Sequence, residues 1–162
     1  FSVADMEFKN PPEISAGLKE YMDTHILGYT GPTQEYLDTV CAWMKEQHGW
    51  TVAPEHICCT HGVVPALFML VAALCEPGDG VIVMPPVYYP FYRAVETNGC
   101  RVKKCPLLYA EGAYSIDFDL LEQVAAESDS KMLIFCSPHN PVGRVWKPEE
   151  LKKWARSASH TA

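Results

Sequence analysis

Cys136-Ser137-Pro138-His139-Asn140-Pro141-Val142-Gly143-Arg144 follows directly on Lys131-Met132-Leu133-Ile134-Phe135, a short apolar run that reads as a buried strand. Two prolines and a glycine stop the strand and fix a rigid turn, with Asn140 held between the prolines and His139 expected on the solvent side. An amide carried in this way is presented at the carboxyl edge of a sheet, where open α/β folds keep their ligands. The same nine residues also read as a plain strand-ending loop whose asparagine bonds its own backbone. The surrounding chain has to choose between the two.

Upstream, strands and helices alternate. Val81-Ile82-Val83-Met84 is a second continuous apolar strand, stopped by Pro85-Pro86. Ile57–Thr60 and Arg101–Cys105 complete a set of four expected strands. Between them Gly62–Cys75 is apolar on every side and is expected to be a buried helix, closed by Glu76-Pro77-Gly78-Asp79. A helix over Tyr89–Asn98 ends at Gly99, Asp117 caps another through Leu120, Leu121 and Val124, and Pro148-Glu149-Glu150 starts a last one through Leu151 and Trp154. Nearer the amino terminus, Asn10-Pro11-Pro12-Glu13 opens a helix over 11–23 with Ile14, Leu18, Tyr21 and Met22 at helical spacing. Thr33 caps a second, which ends at Gly49. Uninterrupted apolar strands separated by helices imply an α/β fold, a mainly parallel sheet with helices on both faces.

The bulk properties narrow the function classes. The 162 residues, 48% of them hydrophobic, are enough for one domain with a real core. A net charge of -7 with no cluster of lysine or arginine argues against a nucleic-acid or anionic-membrane surface. The longest uncharged apolar run, Gly62–Cys75, falls short of the roughly 20 residues that span a bilayer. No basic segment of signal-peptide type opens the chain, and the seven cysteines, without a CxxC pair, read as reduced thiols serving as small hydrophobes. Cys58, Cys59 and His61 carry metal-ligand atoms, but adjacent cysteines on a strand face opposite ways, so core packing is expected there and no metal.

Three strand ends could meet one ligand. At Thr60-His61-Gly62-Val63-Val64 a strand turns into a helix N-terminus, whose free N–H groups and positive dipole end favour an anion. At Pro85-Pro86-Val87-Tyr88-Tyr89-Pro90-Phe91-Tyr92 a tyrosine beside rigid prolines offers a flat ring something to stack on, while Phe91 and Tyr92 read as core. The Asn140 turn is the third. Phosphate cradle, aromatic platform and amide donor together suggest an aromatic phosphate ester. A nucleotide-binding reading lacks its glycine fingerprint.

Val3-Ala4-Asp5-Met6-Glu7-Phe8, Leu27-Gly28-Tyr29-Thr30, Gly62-Val63-Val64-Pro65-Ala66, Pro86-Val87-Tyr88 and Ser137-Pro138-His139-Asn140-Pro141-Val142-Gly143 resemble the fold-type I pyridoxal-phosphate enzymes of the class I/II aminotransferase superfamily. Within them the chain is most similar to the MalY/PatB-type cystathionine β-lyases, or C–S lyases. The resemblance runs over roughly residues 3–155 in the right order. It implies pyridoxal 5'-phosphate as cofactor and a PLP-transferase-like large domain over 33–162, incomplete here. Residues 1–32 would be an N-terminal segment giving arm, small-domain and dimer contacts. Gly62, Val63 and Val64 would hold the cofactor phosphate through backbone N–H groups. Tyr88 would stack on the ring, Asn140 would donate to its phenolic oxygen, and Tyr29 would reach the phosphate of a neighbouring subunit. Asp5 would lie near the substrate entrance.

The activity implied is cleavage of cystathionine or cysteine conjugates to thiol, pyruvate and ammonia, in a cytoplasmic homodimer acting on small sulfur amino acids. An aminotransferase is the near alternative, and a non-catalytic fragment or interaction module is the alternative of another class. In the family the Schiff-base lysine, the aspartate on the pyridine nitrogen and the carboxylate-clamping arginine follow the Asn140 turn at positions beyond residue 162. None of the lysines here, such as Lys131, Lys147 or Lys152, matches the family's Ser-Lys context. The chain is therefore expected to be an N-terminal-half fragment, inactive by itself and, with helix Gly62–Cys75 short of cover, prone to aggregate.

Overall fold

The computed structural model describes Asp5 and residues 7–159. Val3, Ala4 and Met6 of the opening motif, and residues 160–162, lie outside the described residues. The chain divides into two compact units, Phe1–Cys59 and Thr60–Ala162.

The first unit carries helices α1 (Pro12–Thr24) and α2 (Gln34–His48). Helix α1 starts one residue later than its sequence suggests: Pro11, and not Asn10, is the N-cap, because its carbonyl accepts the first amides, from Ile14 and Ser15. Its apolar stripe of Ile14, Leu18, Tyr21 and Met22 is exposed. Helix α2 is capped as expected. The Thr33 hydroxyl accepts from the Tyr36 amide at 3.2 Å, and Gly49, in the left-handed region at φ +64°, closes the far end. The strand expected at Ile57–Thr60 does not form. A 3-10 turn at Pro54–His56 precedes an irregular stretch in which Cys58, Cys59 and Thr60 are exposed. A strand exists only with a ladder partner, and no such pairing occurs among the described residues.

The second unit is built on a parallel sheet. Helix α3 (Val63–Leu74) precedes strand β1 (Gly80–Val83). Helix α4 (Pro90–Thr97) follows it and leads to β2 (Arg101–Lys104). A hairpin, β3 (Leu108–Ala110) with β4 (Ala113–Ser115), precedes α5 (Phe118–Ala125), β5 (Ser130–Leu133) and α6 (Pro148–Ser159). The order is β2-β1-β5, all parallel, so β1 is central. Its four residues are all buried, and their alternation divides the core in two. Val81 and Val83 pack with Val71 of α3 and with Phe91 and Val95 of α4; Ile82 and Met84 pack on the other face with Leu121 and Ala125 of α5 and with Trp146. Helices therefore cover both faces, as the apolar run demands.

Helix α3 departs from expectation. Only Val71 is buried, while Val63, Met69, Leu70 and Leu74 remain exposed. The hairpin is the element its sequence did not announce. Its two-residue loop is Glu111-Gly112, both at positive φ, in place of the usual Asn-Gly or Asp-Gly, and Tyr109 packs across it on Tyr114 at 4.8 Å.

The end of the sheet where strands begin is held by charge. Lys103, its side chain 12% exposed, pairs with Asp129 and Glu127, and Arg101 pairs with Asp129. Gly80 is required there, since a Cβ would press on the Lys103 stem and lie 3.0 Å from the Asp129 carbonyl. The Lys103 ammonium, with Arg101 adding, holds the Asp129 carboxyl below its ordinary value. A group depressed in this way stabilises the fold above the unfolded carboxylate range and loses that contribution as pH falls through the lowered value. Asp129→Asn should accordingly lower stability at neutral pH and flatten the acid limb of the stability profile below the ordinary carboxylate range, read by urea denaturation at neutral and acid pH.

Candidate functional site

The carboxyl ends of β1 and β5 lie side by side, and each runs into a proline-bounded turn. After β1, the backbone N–H of Cys105 donates to the Val83 carbonyl at 2.9 Å and that of Leu107 to the Pro85 carbonyl at 2.7 Å, pinning the start of the turn to the segment after β2. Tyr88 follows, half-buried, its ring edge-on to Phe91 with centroids 6.3 Å apart, while Tyr89 is exposed. The Tyr88 carbonyl accepts from the Phe91 amide at 3.1 Å as α4 begins. Tyr88 is thus fixed by its own backbone and by the core below it.

After β5 the ladder to β1 ends with the Ile134 amide on the Ile82 carbonyl at 3.0 Å. The chain then closes a tight loop: His139 N–H donates to the Arg144 carbonyl at 2.8 Å, and Gly143 N–H to that of His139 at 2.7 Å. Gly143 sits at φ +74°, a conformation that suits glycine alone at low strain. Asn140 stands on this loop, exposed. Its backbone N–H rests on the Cys136 sulfur at 3.4 Å, and among the described residues its side-chain amide has no hydrogen bond.

Helix α3 supplies the third part. The Cys100 thiol donates to the Glu76 carbonyl at 3.4 Å and Gly78 N–H to that of Gly99 at 2.9 Å, which places the C-terminal end of α3 where the strands begin. Leu67, Leu70 and Val71 share a cavity of about 170 Å³ with Met132–Phe135, so the helix lies along β5. Twelve helical residues rise about 18 Å, more than the roughly 13 Å of a four-residue strand. The Gly62–Val64 end consequently lies on the side where β1 and β5 end. Gly62 is at φ +104°, no acidic residue occupies the first turn, and Pro65 has no N–H. The first intrahelical donor is Ala66, to the Gly62 carbonyl at 3.3 Å, which leaves the amides of Val63 and Val64 without a helical acceptor.

Gly62, Val63, Val64, Tyr88 and Asn140 thus share one edge of one unit. Asp5 and Tyr29 belong to the other unit and are both exposed. Cys58, Cys59 and His61 are exposed and not packed in a core, and among the described residues no group of three or more His, Cys, Asp or Glu side chains could hold a metal. No helix among the described residues is long and apolar enough to cross a membrane.

His139 departs most from expectation. It is fully buried, with its ring against Trp146 at 5.6 Å and 84° and its Nε2 at 3.1 Å from the carbonyls of both Met84 and Pro86. Trp146 in turn donates from Nε1 to the Cys136 carbonyl at 2.8 Å. The Arg144 guanidinium lies over the Trp146 ring at 5.0 Å and forks onto Glu150 at 2.8 and 2.9 Å. Sequence reasoning missed this support. The one signal for it was an arginine and a tryptophan in an otherwise polar turn.

A parallel sheet with helices on both faces, and with a helix N-terminus, a tyrosine and an exposed amide at one edge, defines an α/β domain. The chain belongs to the aminotransferase class I and II family, whose model matches residues 1–161. It is 51% identical over 151 residues to cystathionine beta-lyase PatB of Bacillus subtilis, covering 93% of this chain and 39% of that protein. It is 29% identical over 153 residues to protein MalY of Escherichia coli, covering 94% and 39%. Cystalysin from Treponema denticola, whose crystal structure contains a pyridoxal 5'-phosphate cofactor, superimposes with a TM-score of 0.95 at 52% identity, over 98% of this chain and 40% of that one. The chain thus spans about two-fifths of the length of these relatives.

Burial, with the Asp117 charge secondary, pushes the Cys105 thiol up to about 11. Alkylation by iodoacetamide at pH 8 should therefore label exposed Cys58 and Cys59 first and Cys105 last, read by peptide mass mapping against time.

Proposed function

We propose that this chain carries the cofactor-holding part of a pyridoxal-phosphate-dependent carbon–sulfur β-lyase. The observation that carries the reading is the convergence of Gly62–Val64, Tyr88 and Asn140 at one sheet edge, in a chain 51% identical to a cystathionine beta-lyase. The donor set fits the group. Two unpartnered amides at a helix N-terminus suit a phosphate, and a positive-φ glycine lets the backbone approach it.

When bound, pyridoxal phosphate supplies an electron sink for the carbanion formed beside the substrate's amino group. The chain's own residues bind and orient. Val63 and Val64 N–H groups, after Gly62, hold the phosphate; the Tyr88 ring stacks on the pyridine; the Asn140 amide donates to the phenolic oxygen. Tyr29 reaches the phosphate of a second subunit, and Asp5 lies by the substrate entrance. Residues 1–32 give arm and dimer contacts, and 33–162 belong to the large domain. The protein is a cytoplasmic homodimer that converts cystathionine or cysteine conjugates to thiol, pyruvate and ammonia. No residue of this chain is assigned as the catalytic base; turnover is proposed for the whole protein, of which this chain spans the cofactor-holding part.

An aminotransferase is the second reading. It is favoured by matches such as aspartate aminotransferase of Pinus pinaster, 28% identical over 165 residues, and the lower identity ranks it behind the lyase. The whole protein incubated with cystathionine should release thiol and pyruvate with no amino acceptor added. Product formation that depends on an added keto acid would assign the aminotransferase instead. In the active protein Asn140→Ala should weaken pyridoxal phosphate about 10- to 100-fold, the worth of one hydrogen bond to a charged group, measured by absorbance titration.

A further inference from the structure

His139 is the one polar side chain fully buried among the described residues, and nothing so far gives it a task. Its Nε2 lies 3.1 Å from the Met84 carbonyl and 3.1 Å from the Pro86 carbonyl. Carbonyl oxygens only accept, so Nε2 carries the hydrogen and shares it between them. The other ring nitrogen, Nδ1, is buried without a partner.

The place of this bond in the sheet explains it. Parallel ladders bond at every second residue, and the last rung from β5 to β1 is Ile134 N–H to the Ile82 carbonyl. The next rung would be Cys136 N–H to the Met84 carbonyl. By then the chain has turned away through Ser137-Pro138, and the imidazole of His139 delivers the donor that the backbone withholds. The same hydrogen reaches Pro86, two residues before Tyr88. On its own side the imidazole cannot drift. Its backbone is locked to Arg144 and Gly143, its ring lies edge-on to Trp146, and Trp146 is tied to the Cys136 carbonyl.

We infer that His139 is a positioning residue: its Nε2–H clamps the Asn140 turn to the Pro86–Tyr88 turn and so fixes the spacing between the amide donor and the ring platform. The clamp rests on the cofactor-site reading above, in which Tyr88 and Asn140 serve one ligand. His139 touches the ligand nowhere in this account. It acts by holding the two turns that do.

Three variants in the active protein test this: His139→Leu, with no donor; His139→Gln, whose amide reaches about as far as Nε2; and His139→Asn, whose amide falls short. Pyridoxal phosphate affinity and the induced circular dichroism of the bound cofactor are measured well below each variant's Tm, so that only folded protein is compared. His139→Leu and His139→Asn should weaken binding about tenfold or more and alter the dichroism. His139→Gln should restore both to within about threefold. If His139→Leu fails to fold, the contrast between the Asn and Gln variants decides. An affinity unchanged in the folded donorless variants overturns the clamp, as does a loss that Gln fails to repair. If the unaltered protein does not bind pyridoxal phosphate, or if Asn140→Ala and Tyr88→Ala leave its affinity unchanged, the site reading itself fails and the clamp falls with it.

Discussion

Strand β1 has no face toward water, and from that single constraint most of the second unit follows. A strand whose alternate residues are buried on opposite sides, Val81 and Val83 on one and Ile82 and Met84 on the other, needs packed cover on both. Helices α3 and α4 answer one side, α5 and Trp146 the other. Because connections between parallel strands must cross back over the sheet, every strand ends on the same side. The turns after β1 and β5, and the start of α3, are thereby gathered at one edge before any ligand is considered.

The two ends of the sheet are held by different physics. Where strands begin, Lys103, Arg101, Asp129 and Glu127 form a charged network around a glycine that admits the Lys103 stem. Such a network tolerates water, and its partners are partly exposed. Where strands end, the ties are a buried imidazole, an indole N–H and backbone amides, with carbonyls as acceptors. Buried hydrogen bonds of this kind specify geometry, because leaving one unmade costs about 1–3 kcal/mol. The directional, desolvated ties sit at the end that carries the candidate site.

What could be read from the sequence follows the range of the interaction. Local signals were legible: the buried apolar run of β1, the Thr33 and Asp117 caps, the glycine closing α2, and the proline-bounded turn bearing Asn140; β5 forms as read, but it stops at Leu133 and none of its four residues is buried. Signals that depend on a distant partner were not. The apolar face of α3 states a need for cover without naming what meets it, and most of that face is exposed. Ile57–Thr60 has strand-like residues but no ladder partner. The hairpin was hidden by a Glu-Gly turn, a weaker statistical cue than Asn-Gly. His139 looked like a solvent-side turn residue because its acceptors lie 55 and 53 residues earlier in the chain. At the candidate site the turns that bear Tyr88 and Asn140 were readable, and the residues that hold those turns were not.

This asymmetry has a physical origin. A residue that meets a ligand must stand clear of the fold, so its type is matched to the ligand and its turn is marked by prolines and glycines that keep it there. In the proposed site, Asn140 and Gly62 would be of this kind. A residue that holds the turn is matched to whatever backbone groups the sheet leaves unpaired, and those are set by where neighbouring strands stop. Strand β5 leaves the ladder after Ile134, and Met84 keeps a buried carbonyl, and Pro86 a partly buried one, that no amide of β5 reaches. A long polar side chain with a donor at its tip was required at that point, and the turn between Pro138 and Pro141 was the segment in reach. The prolines that display Asn140 are therefore also what deprives β1 of its next rung, and the burial of His139 is the consequence of ending the strand so abruptly.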